Sequence, residues 1–108
     1  MNETMRPQQL GDADDLDQFI DDNDLALVEF YSLGCPKCQA MEPIIGNVAR
    51  ATDAAVGMLN PRDDLSVLDR FDISSTPTLI LFKDGEQVGK RAGGVEGTEA
   101  LVEFVESA

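Results

Sequence analysis

The stretch from Leu25 to Ala49 constrains this chain most. It opens with Leu-Ala-Leu-Val-Glu-Phe-Tyr, a run that ends at Tyr31 and is closed by Ser32, Leu33 and Gly34. A run so short, partly β-branched and aromatic and bounded by turn residues, reads as a buried strand. After Cys38 the period changes. Met41, Ile44, Ile45, Val48 and Ala49 recur at helical spacing and make one apolar stripe. Cys35 and Cys38 therefore sit where a strand hands over to a helix. Cys35 stands at the helix start, and Cys38 lies above Met41 and Ile45 on the buried stripe. One thiol is presented and the other is tucked beneath it. A dithiol needs that arrangement to attack another disulfide and then resolve the mixed disulfide.

Other uses of a cysteine pair fit less well. A structural zinc takes four ligands, mostly thiolate or imidazole. This chain has two cysteines and no histidine, so it could close such a site only across a dimer. A purely structural disulfide here would close a very short loop and constrain little of the unfolded chain. The absence of histidine also removes any Cys-His nucleophilic pair. Redox exchange is the reading that remains. The thiolate is the nucleophile, and a helix N-terminus lowers a thiol's pKa, so Cys35 attacks and Cys38 resolves. Lys37 lies between them, one of three lysines in the chain. A cation in the first turn opposes the helix dipole, yet it would favour thiolates and soften a negative surface.

That surface is very negative: 21 acids against 8 bases, a formal net charge of −13. Nucleic acid and anionic membranes are poor partners for it. Asp outnumbers Glu, and such a profile resembles halophilic archaeal proteins, whose dense charge is screened by salt. No apolar run approaches the roughly 18 residues of a membrane helix, and the N-terminus lacks the order of a signal peptide. A cytoplasmic, monomeric protein is the expectation. With 108 residues, 43% of them hydrophobic, one domain spanning 1–108 is expected.

Along the rest of the chain, residues 1–9 read as a loosely ordered N-terminus or a short edge strand near Gln8–Leu10. Asp12 offers an N-cap to a helix ending near Asp22, with Ala13, Leu16, Phe19 and Ile20 on one face. Pro43 falls inside the cysteine-bearing helix and removes one of its hydrogen bonds. Ala55–Leu59 reads as a strand. Asn60-Pro61 reads as the cap and first residue of a short helix that buries Leu65, Leu68 and Phe71. Thr78–Lys83 is an apolar strand, Asp84-Gly85 a hairpin turn, and Glu86–Ala92 a more polar edge strand. Gly93-Gly94 ends it, and Thr98 is expected to cap a last helix that turns Leu101, Phe104 and Val105 inward. The order implies an α/β protein with a central mixed sheet and helices on both sides. Glu29 is the one acid inside the first apolar strand. The residues alone leave it either buried mid-strand or solvated at the strand's end.

With those features together, the chain resembles the thioredoxin family over nearly its whole length. The likeness rests on Leu25–Tyr31, on Cys35-x-x-Cys38, on Pro43 and on Ser75-Thr76-Pro77-Thr78. Phe82-Lys83-Asp84-Gly85-Glu86 and Gly93 complete it. The resemblance implies a thioredoxin fold, a three-layer α/β/α arrangement around a four- to five-stranded mixed sheet. It implies that Pro77 is cis and faces the cysteines, and that Thr76 offers backbone groups to an extended substrate. Gly34, Pro36 and Gly93 are the other residues expected to meet substrate. Glu29 would hold the place of the family's buried acid, beneath Cys38, and take that thiol's proton. The implied activity is reduction of disulfides in client proteins, with re-reduction by a thioredoxin reductase and no bound cofactor. Gly34 stands where the family usually has Trp, and the inner pair is Pro36-Lys37 instead of Gly-Pro. Pro directly after the first cysteine is a glutaredoxin habit. A glutaredoxin-like reductase using a low-molecular-weight thiol, or a binding module holding metal across a dimer, are the alternative readings.

Overall fold

The computed structural model describes residues 6–108. In chain order its elements are β1 (Gln8–Leu10), α1 (Ala13–Asp22), β2 (Leu25–Phe30), α2 (Pro36–Ala51) and β3 (Ala55–Leu59). A 3-10 turn (Pro61–Asp63), α3 (Ser66–Arg70), β4 (Thr78–Lys83), β5 (Glu86–Ala92) and α4 (Thr98–Glu106) follow. The expected edge strand at Gln8–Leu10 is there, and residues 1–5 lie outside the described residues. The five strands form one sheet in the order β1-β3-β2-β4-β5. The crossovers make β1 and β2 parallel to β3, while β4 runs antiparallel to both β2 and β5. This is the mixed α/β sheet that the element order implied.

The alternation of the central strands assigns each helix its side. Ala26, Val28 and Phe30 of β2, with Ile80 and Phe82 of β4, pack against Leu16, Phe19 and Ile20 of α1 and Val67 of α3. Leu27 of β2, with Leu79 and Leu81 of β4, packs against Met41, Ile45 and Val48 of α2 and Leu101, Phe104 and Val105 of α4. The sheet is thus covered on both faces, and β2, third of five, has neither an open edge nor a wet side.

Local chemistry accounts for the element ends. Asp12 accepts a hydrogen bond from the Asp15 N–H at 2.8 Å and caps α1. Asp84 and Gly85, with φ of 53° and 85°, make the tight turn between β4 and β5. In β5 the register steps from Leu81↔Gly89 to Phe82↔Gln87, so Val88 is an extra residue in a bulge and lies exposed.

Three expectations are corrected. β2 ends at Phe30, and Tyr31 adds only its N–H, donated to the Leu59 carbonyl at 3.1 Å. The helix expected from Pro61 is broken in two. Asp64 stands at the break, accepting from the Ala13 N–H at 2.8 Å and from the Ser66 N–H and Oγ at 3.1 and 2.6 Å. Those bonds, the one from the Ser66 hydroxyl first, hold the Asp64 carboxyl below the usual carboxylate range. The break resets the helical phase, so Leu65 is 65% exposed while Val67 is buried in its place. Finally, Thr98 is the first helical residue of α4, not its cap. Gly97 holds the cap position, and the Thr98 hydroxyl meets Asn47 Nδ2 of α2 at 3.4 Å.

Candidate active site

The site lies at the end of the sheet where β2 leads into α2. Gly34, at φ 71°, makes the turn that brings the chain round to the helix, a conformation that disfavours a side chain. Cys35 is the N-cap of α2, and Pro36 is its first helical residue. The Cys38 N–H donates to Cys35 Sγ at 3.1 Å. This is an amide with no partner inside the helix, so it serves the sulfur. Cys35 and Cys38 are joined as a disulfide, with Cα atoms 5.2 Å apart. Cys38 is only 4% exposed, above Met41 and Ile45, while Cys35 is partly open to solvent.

A second segment closes over the pair. The Thr76–Pro77 bond is cis. Cys35 Sγ lies 3.9 Å from the Thr76 carbonyl oxygen and 3.8 Å from its hydroxyl. The Thr76 hydroxyl also meets Ser32 Oγ at 2.9 Å, tying the turn before α2 to the segment before β4. The Gly93 N–H donates to the Pro77 carbonyl at 3.0 Å, which brings the end of β5 to the same place. The tertiary fold therefore brings together the Gly34–Pro36 entry to α2, the Thr76-Pro77 segment and Gly93 at the end of β5. Lys37 Nζ donates to the Gly93 carbonyl at 3.2 Å, so its recorded bond is to a backbone oxygen and not to sulfur.

Glu29 is 0% exposed, and neither carboxyl oxygen has a hydrogen-bond partner. It follows Leu27 on the face of β2 that meets α2, between Met58 of β3 and Leu79 of β4. Burial first, and the Glu42 charge second, push its carboxyl up to about 7. Two contributors escaped the sequence reading. Ser32 looked like an ordinary turn residue, since a hydroxyl reaching the distant Thr76 leaves no local trace. Glu42 could have been found, because it lies four residues after Cys38 and hence on the same side of the helix.

Comparison with known proteins agrees with this geometry. The thioredoxin family model matches residues 9–107. Thioredoxin from Mycobacterium tuberculosis is 37% identical over 93 residues, covering 84% of this chain and 79% of that protein. Thioredoxin from Chlamydia pneumoniae is 33% identical over 94 residues, covering 86% and 90%. A mutant thioredoxin from Halobacterium salinarum NRC-1 has a solved structure with TM-score 0.92 and 33% identity, covering 99% of this chain and 94% of that one. Neither the glutaredoxin-like reading nor the metal-holding module is favoured by these matches. With its Cys35–Cys38 pair at a helix N-terminus beside a cis-proline, the chain is a thiol–disulfide oxidoreductase and belongs to the thioredoxin family.

Proposed function

We propose that Cys35 is the attacking thiolate, Cys38 the resolving thiol and Glu29 the acceptor of the Cys38 proton in reduction of client-protein disulfides. The observation that carries the reading is the asymmetry of the pair. Cys35 is the N-cap and receives the Cys38 amide, whereas Cys38 is buried. An N–H donor and the positive end of the helix both favour a thiolate at Cys35. The thiolate opens the client disulfide, Cys35 is left bonded to one client sulfur, and Cys38 displaces it. Thr76, Pro77, Gly34, Pro36 and Gly93 are the residues that meet the client chain, Thr76 lying in contact with Cys35. Lys37 acts from an exposed position, so its pull on the thiolate is weak, and its bond to Gly93 steadies the client-binding turn.

By family, electrons come from a thioredoxin reductase, and no bound cofactor is needed. We read the chain as one domain and a monomer. No helix among the described residues is long and apolar enough to cross a membrane, and the acidic composition supports a high-salt cytoplasm. The test is trapping. Alkylation of the reduced protein at neutral pH labels Cys35 well before Cys38, and Cys38→Ser accumulates a mixed disulfide on Cys35. Equal labelling, or trapping through Cys38 in Cys35→Ser, reverses the assignment.

A further inference from the structure

Acids make up 21 of the 108 residues, yet the segments around Cys35 hold almost none of them. Residues 32–37, 74–77 and 91–96 carry one acid, Glu96. Its carboxylate is taken by Arg91 at 3.1 Å, and the Arg91 guanidinium also lies over the Phe104 ring, 4.7 Å from its centroid. Leu33 and Val95 in the same segments are exposed and apolar. Lys37 is then the one charge of these segments that no other side chain has claimed. It is exposed, and among the described residues it makes no ion pair. Its bond goes to the Gly93 carbonyl.

Helix stability does not explain a lysine there, because a cation in the first turn opposes the helix dipole. Its position relative to Cys35 does suggest a use. Lys37 reaches from the start of α2 to the end of β5. The Gly93 N–H it reaches past is bonded to the Pro77 carbonyl, and Thr76 before it touches Cys35. The ammonium therefore stands on the flank of the Thr76-Pro77 segment. Glu42, the acid that follows on α2, turns to the other side, where it walls a small cavity with Met58 of β3. A neutral carbonyl is also a weaker partner for an ammonium than a carboxylate is.

We propose that Lys37 is a specificity-determining residue that pairs with a carboxylate of the client, carried within a few residues of the client's reacting cysteine. On docking, the ammonium trades the Gly93 carbonyl for the client carboxylate, and water takes the carbonyl oxygen. The rest of the molecule, at a net charge of −13, repels an acidic client. Acceptance of one is therefore concentrated at this rim, where acids are cleared and a cation is left free to pair. Salt removes the long-range repulsion, while a pair in direct contact keeps part of its strength even where the screening length is about 3 Å. The inference rests on the reading that Thr76 and Gly93 meet the client chain.

The experiment uses short peptides whose single cysteine is held as a neutral pyridyl disulfide, so that attack by reduced protein releases a chromophore. One Asp is placed in turn at each position near the cysteine, and each peptide is paired with its Asn counterpart. The readout is the ratio of the Asp to the Asn rate constant, in which any effect of a variant on Cys35 itself cancels. For the best-placed Asp, wild type prefers the acidic peptide by about two- to fivefold, the range of an exposed ion pair. Lys37→Arg keeps the preference, Lys37→Gln abolishes it, and Lys37→Glu reverses it. The Cys38→Ser adduct of the same peptide is compared with free Cys38→Ser by amide chemical shifts. Shifts at Thr76 and Gly93 with no Asp preference, or with one that Lys37→Gln leaves unchanged, overturn this inference alone. An adduct that moves neither amide overturns the reading of the client-binding residues, and the role of Lys37 with it.

Discussion

At Glu29, burial and the Glu42 charge act in the same direction on one carboxyl, burial being the larger, and lift it from 4.5 to about 7. The sign of the stability effect follows from linkage. A carboxyl whose folded pKa lies above its unfolded value contributes most below about pH 4.5, where it is neutral in both states. That contribution is lost as the pH rises to about 7, by roughly 3 kcal/mol for a shift of this size. Glu29→Gln has no proton to lose. The variant is therefore expected to be about as stable as wild type near pH 4.5 and clearly more stable at pH 8. Urea midpoints at the two pH values measure this, and parallel profiles would mean that the carboxyl is solvated. In the same variant, attack by Cys35 is little changed while resolution by Cys38 slows at neutral pH. Stopped-flow separation of the two thiol releases checks it.

Among the elements, β3 shows how closely the layers meet. Gly57 lies mid-strand, and a Cβ there would come 2.9 Å from Leu10 Cδ1 of β1 and 3.0 Å from Phe19 Cε2 of α1. Gly57→Ala must displace the Leu10 and Phe19 side chains, and overpacking of this kind costs about 1–3 kcal/mol. Chemical denaturation reads that loss, while labelling of Cys35 in the native protein stays at the wild-type rate, because the clash lies on the sheet face away from α2. At the start of α1, Asp12→Ala removes the bond to Asp15 and is expected to cost about 1 kcal/mol, seen as a lower urea midpoint. An unchanged midpoint would show that water replaces the cap without loss.

Across the whole molecule, a net charge of −13 on 108 residues sets the acids against one another. The described ion pairs, Arg70–Asp17 and Arg91–Glu96, offset little of this. Salt shortens the reach of the repulsion, to about 3 Å at 1 M. The melting temperature is thus expected to climb as KCl is raised from low to molar concentration, by several degrees for a protein of this size. Calorimetry across the salt series tests it, and a flat or falling melting temperature counts against a high-salt origin.

What the sequence determined by itself is local. The order of elements, the Asp84-Gly85 turn, the Asp12 cap and the thiols at the helix start all follow from periodicity and from residues adjacent in the chain. Where adjacency failed, the reading failed with it: Asp64 breaks a helix partly by bonding to the distant Ala13, and Leu65 is left outside. Tertiary structure decided the rest. Nothing in Leu25–Tyr31 says whether Glu29 is wet. It is dry because β3 and β4 pair on either side of β2 and α2 lies over that face. In the same way Cys35 meets Thr76 only because antiparallel pairing of β4 with β2 sets Thr78 opposite Phe30. Burial and contact between distant segments depend on which strands become neighbours, and the folded sheet settles that for residues far apart in the chain.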